Sequence, residues 1–185
     1  MSERDYKTLL QFSDRWFRLG LLAESDLRAL GQRYETSGDK NTEHYRYQVF
    51  RDYLASHRPL SPSMAEALYE LGQVDSDTAM GGAMMREIVE LSECPANVEE
   101  QALASGEKYL VKIVKRKRML AELNAEPTAE VIARCLTSQD ADIQRELLAR
   151  AKLSRDQLNQ LVETGANRAI RNLATVHLRS KREAV

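Results

Sequence analysis

Scarcity is the first thing this sequence shows. Its 185 residues include two cysteines, four prolines, eight glycines and one tryptophan. Cys94 and Cys135 are too few for a disulfide scaffold or a thiolate zinc cluster. Little Gly, Pro, Val, Ile and Thr beside abundant Leu, Ala, Glu and Arg disfavours strand-rich folds. No apolar run approaches the roughly 20 residues of a spanning helix. The opening MSERDYKTLLQF mixes charges of both signs without an apolar centre, unlike a secretory signal. The expectation is a cytoplasmic, soluble chain with reduced thiols and no membrane partner.

Chemistry-bearing groups are equally thin. His44, His57 and His177 are far apart, and no pair has the spacing of a zinc helix. The glycine-rich phosphate and dinucleotide motifs and the G-x-S-x-G elbow do not occur. Glu66 and Glu70 share a helix face, which solvation explains without general acid–base work. Cys94 precedes Pro95 at an expected helix start, but a small packed thiol explains it. The reading is non-enzymatic, with no catalytic residue, no cofactor and no metal.

What is present is helical patterning. Hydrophobic residues make up 43% and charged residues 30%, enough for a packed core. Tyr6, Leu9, Leu10, Ser13, Trp16 and Phe17 fit one face of a single helix, stopped by Gly20. A second helix, with Ser25 or Glu24 near its start, ends by Ser37-Gly38-Asp39, and a third runs from Asn41 to about His57. In the third, His44, Tyr47 and Arg51 form a polar-aromatic strip suited to contact with a partner. Burial of Tyr45, Phe50 and Tyr53 explains the aromatics as core instead.

From residue 60 the chain repeats. Four openings, at Leu60-Ser61-Pro62, Cys94-Pro95, Glu126-Pro127 and Leu153-Ser154, lie about 33, 32 and 27 residues apart. Each leads into a short apolar helix, a turn and a second amphipathic helix; in the second unit that helix carries Tyr109, Leu110, Ile113 and Val114. Gly81-Gly82 interrupts the second helix of the first unit among Met80, Met84 and Met85. This suggests either a tight helix crossing or an adaptable groove.

The phrases SQDADIQRELLARA and GANRAIRNLATVHL resemble HEAT-type repeats, and the last two units also look like the short leucine-rich-repeat variants of bacteria. The resemblance covers about residues 60–178 and implies an all-α, right-handed α-solenoid with a binding role. It implies that Asp142 with Arg145, and Asn167 with Arg171, hold successive units together. The alkylpurine DNA glycosylases share such repeats, but Trp16 lies outside them here, so no catalytic residue carries over. The expected organisation is a three-helix N-terminal cap over 1–58, four helix-pair repeats over 59–179, and a charged tail over 180–185.

Charge is the remaining signal. A net charge of −1 argues at first against a polyanionic partner, yet residues 1–105 carry −7 and residues 106–185 carry +6. Lys108, Lys112, Lys115 and Arg116 form a helical stripe, continued by Arg118, with Arg145 and Arg171 in later second helices. Three partner readings follow. One is another protein held on the helical-repeat surface. The second is nucleic acid held on the stripe, and the third is charge-driven self-association into a homo-oligomer.

Overall fold

The computed structural model describes residues 5–125 and 127–183, which form twelve α-helices and no strand. Glu126 of the third expected opening and the end of the expected tail, 184–185, lie outside the described residues. Contacts divide the chain into two compact units, 1–111 and 112–185. None of the helices is long and apolar enough to cross a membrane.

Unit 1 holds α1 (Tyr6–Leu9), α2 (Asp14–Arg18), α3 (Glu24–Thr36), α4 (Thr42–Ser56), α5 (Pro62–Gln73), α6 (Thr78–Glu90) and α7 (Ala96–Ala104). α8 (Lys108–Asn124) carries the division. Its caps follow from the sequence. Ser61 Oγ accepts from the Met64 amide and Pro62 takes the first turn of α5, where a missing donor costs nothing. Asp77 accepts from the Met80 amide at 2.7 Å and starts α6.

The single helix expected over 6–17 is broken. Gln11 adopts a left-handed φ of 60°, so α1 ends and Ser13 starts α2 afresh. The break serves a buried charge. Arg46 of α4 is fully buried, and its Nη1 donates to the Leu10 carbonyl at 2.9 Å. Its Nη2 and Nε reach the two carboxylate oxygens of Asp75 at 3.0 and 3.3 Å. Asp75 also accepts from the Asp77 amide, so the same carboxylate shapes the turn into α6. Leu10, Phe12, Trp16, Phe50, Leu68 and Met84 of the same unit are all nearly inaccessible.

α5 and α6 cross where Gly72 faces Gly81. A Cβ on Gly81 would sit 2.2 Å from the Gly72 carbonyl oxygen, so the crossing demands glycine. Gly82, the next residue, meets nothing within 4 Å of its would-be Cβ and faces outward.

Unit 2 contains the rest of α8 with α9 (Ala129–Thr137), α10 (Ala141–Arg150), α11 (Arg155–Thr164) and α12 (Arg168–Glu183). α9 packs on α11, and α10 on α12. Leu123, Cys135, Leu147, Leu161 and Ala174 form its core. Thr128 caps α9, and Ser154 forms a reciprocal capping box with Gln157 at α11.

The junctions of unit 2 rest on Asp140 and Gln144. Arg116 of α8 donates from Nε to Asp140 Oδ2 at 2.8 Å, and Asp140 caps α10. Fully buried Gln144 donates to the Leu136 and Ser138 carbonyls, while its oxygen accepts from the Ala166 amide at 2.8 Å. The pairs implied by the resemblance are local instead. Arg145 binds Asp142 three residues away on α10, and Arg171 donates to the Gly165 carbonyl within one helix pair.

Replacing Arg46 by Met strands the Asp75 carboxylate, so urea unfolding should show about 3–5 kcal/mol of lost stability. Gly82→Ala should gain about 0.5–1 kcal/mol by relieving glycine's helical entropy cost. Gly81→Ala should instead lose stability in the same assay, because its methyl meets backbone.

Candidate functional site

The exposed side of α6 is where unit 1 leaves a surface open. The helix buries Met80, Met84, Ile88 and Val89 inward. Outward it shows Thr78, Ala79, Gly82, Ala83, Arg86 and Glu90, so its central turns carry little bulk. Two clefts run along it and share Ala79 and Ala83. The larger, about 440 Å³, has Met85 and Tyr109 as its apolar walls and Arg86 and Glu107 at its edge. The smaller, about 270 Å³, lies against α4 at Glu43, His44 and Tyr47. Tyr109 adjoins Leu110, which is buried. Tyr109 itself is 72% exposed, and nearby Val74 is 60% exposed.

The polar-aromatic strip of α4 reaches this face and is partly committed to it. Tyr47 donates to Glu87 Oε1 at 2.6 Å, and Arg51 Nη1 donates to the same oxygen at 3.0 Å. Burial, and then the Glu87 hydrogen bond, push the Tyr47 hydroxyl above its ordinary pKa. Together these bonds fasten α4 to α6. His44 stays exposed beside the smaller cleft, and its hydrogen bond with Asp39 raises its pKa.

A still larger cleft, about 700 Å³, lies among α1, α2 and α3. Lys7 and Asp14, which line it, pair with each other, and its remaining walls mix both signs of charge. No group of three or more metal-ligating side chains occurs among the described residues. Cys135 is buried, and burial holds its thiol above the ordinary value. Cys94 sits half-buried in the turn before α7.

The basic stripe divides in two. Lys108, Lys112 and Lys115 are exposed on α8 and Arg118 is half-buried. Arg116 is committed to Asp140 at 2.8 Å and Asp142 at 3.3 Å. Arg145 and Arg171 have the local partners already described. The stripe therefore offers three lysines, and several of its arginines serve the fold.

Reasoning from the sequence missed Arg46, Asp75 and Gln144, as well as the exposure of Tyr109. A signal existed for two of the sites. The pattern Asp-x-Asp recurs as Asp75-Ser76-Asp77 and Asp140-Ala141-Asp142, each time at the start of a helix, α6 and α10. In both, the first Asp accepts the amide two residues on and an arginine from an earlier helix. Comparison with protein families, with curated proteins and with solved structures finds no match to this chain.

Burial raises the pKa of Asp140, but the Arg116 hydrogen bond, backbone amides and the Arg116 charge outweigh it, leaving the group below its ordinary value. Its folded pKa is depressed, so its stabilisation is present above the unfolded value near 3.9 and is lost as pH falls through the folded one. Urea titrations between about pH 6 and pH 3 should show this loss, and Asp140→Asn should flatten it while lowering stability at neutral pH.

Proposed function

We propose that this protein is a non-enzymatic binding module that takes a helical segment of another protein on the exposed face of α6. The observation that carries the reading is the pair of clefts meeting along Ala79 and Ala83 under a 72% exposed Tyr109. Exposed aromatic and methionine side chains beside a low floor are what an amphipathic helix needs for anchoring. Small residues let its backbone come close. The packing of α9 on α11 and of α10 on α12 supports reading those helix pairs as HEAT-like repeats, and the right-handed solenoid is what the resemblance to HEAT-type repeats implies. Such an architecture spreads its binding groups over an extended face rather than around one reacting centre.

Nucleic acid on the α8 stripe is the second reading. It draws support from exposed Lys108, Lys112 and Lys115, and loses some because Arg116 is paired with two aspartates. It predicts affinity that falls steeply with salt and disappears in Lys112→Glu with Lys115→Glu.

A photo-crosslinking residue at position 109, and another at exposed Ala149 as control, separate these readings in cells. The expected result is a discrete protein adduct at 109 and none at 149, abolished when Gly82→Trp fills the cleft. Adducts insensitive to Gly82→Trp, or no protein adduct at 109, would overturn the protein-binding reading.

A further inference from the structure

Resting on the reading of the α6 face as a docking surface, we propose that its occupant is α12 of a second copy of this chain. The charge split follows the structural division. Unit 1 contains 12 basic and 19 acidic residues, net −7, and unit 2 contains 15 and 9, net +6. Each unit therefore repels its own kind and attracts the other, a bias that acts on approach before any contact is made.

The local surfaces match that bias. The α6 clefts carry Glu43 and Asp77 beside the start of the helix and Glu107 in the larger cleft, and beyond them Glu90 is exposed at the helix end. Arg86 interrupts this acidic rim from the α6 face, and His44 adds a titratable group on the α4 side. On α12, Ile170 and Ala174 are buried in unit 2, while Arg168, Asn172, Val176 and Arg179 are exposed. Their spacings of four, four and three residues set them in one stripe, with an apolar group between terminal arginines. Val176 is 59% exposed and supplies the apolar centre of that stripe.

The lengths agree as well. Arg168 and Arg179 are about 16 Å apart along the helix, and Asp77 and Glu90 about 20 Å. The arginines of a docked α12 can therefore reach toward both ends of α6 while Val176 lies over the low floor at Ala79, Gly82 and Ala83. The contact uses different surfaces on its two sides. It is head-to-tail, and each added copy leaves one free α6 face and one free α12, so association continues until a ring closes.

Sedimentation velocity of the full chain tests this directly. The expected result is concentration-dependent association at about 50 mM salt that weakens at least about tenfold at about 500 mM. Arg168→Glu with Arg179→Glu should abolish it, and so should Gly82→Trp; circular dichroism establishes that each variant remains folded. Val176→Asp replaces the arginine pair should that variant not fold. Mixing the α12 variant with Gly82→Trp should restore one-to-one complexes, because each supplies the intact surface the other lacks. A chain that stays monomeric at low salt, association indifferent to salt or to either variant, or a mixture that fails to pair would each overturn the proposal. Monomeric protein that binds a single-stranded DNA 20-mer instead would favour the α8 stripe. If self-association fails while the adduct at position 109 still appears and still vanishes in Gly82→Trp, the docking face stands and only its occupant is wrong.

Discussion

The guanidinium of Arg46 is the constraint on which unit 1 is arranged. A fully buried cation must have its donors satisfied and its charge matched. Here that requirement enlists the Thr42 hydroxyl on its own helix and two distant stretches of chain, the Leu10 carbonyl and the Asp75 carboxylate before α6. Supplying the Leu10 carbonyl requires an interrupted N-terminal helix, so the left-handed Gln11 and the separate α2 follow from a charge thirty-five residues on. Supplying Asp75 fixes the turn, and the turn fixes where α6 begins. The open face of α6 is thus positioned by a residue on another helix, through Asp75.

Unit 2 meets the same structural need with two chemistries. Arg116 reaches forward from α8 to Asp140, at the start of the next second helix, as Arg46 reaches forward from α4 to Asp75. One junction further on, Gln144 does the work with a neutral amide and binds the Ala166 backbone. Exposure sorts the two arginine junctions: the Arg46 side chain is fully buried, whereas Arg116 is 36% exposed and shares its charge with a second aspartate. The exposed junction is screened by water, so its removal should cost less than removal of the buried one.

Much of this was legible in the sequence. Helical periodicity, Ser61-Pro62, Leu153-Ser154 and the turn at 37–39 mark helix starts and stops because capping is local chemistry. The bounds of α3 and α4 follow from such signals. The break at Gln11 was hidden because its cause lies at Arg46, and no local pattern encodes a partner that distant. Periodicity sets Tyr109 beside the apolar stripe of Leu110, Ile113 and Val114, and only the folded start of α8 shows that it is exposed. The glycine pair was read as a single feature, although Gly81 answers to the α5 backbone and Gly82 to open space. The face around α6 could not be assembled from sequence, since its walls come from α4, α6 and the start of α8.

The amide of Ala166 lies outside any helix, and its hydrogen bond is to the Gln144 side chain rather than to backbone. Most backbone hydrogens in a loop exchange freely with solvent, while those in a helix report on the opening of that helix. This one exchanges only when a side chain lets go. Its exchange rate is therefore a clock for the separation of one helix pair from the next, readable without perturbing either helix.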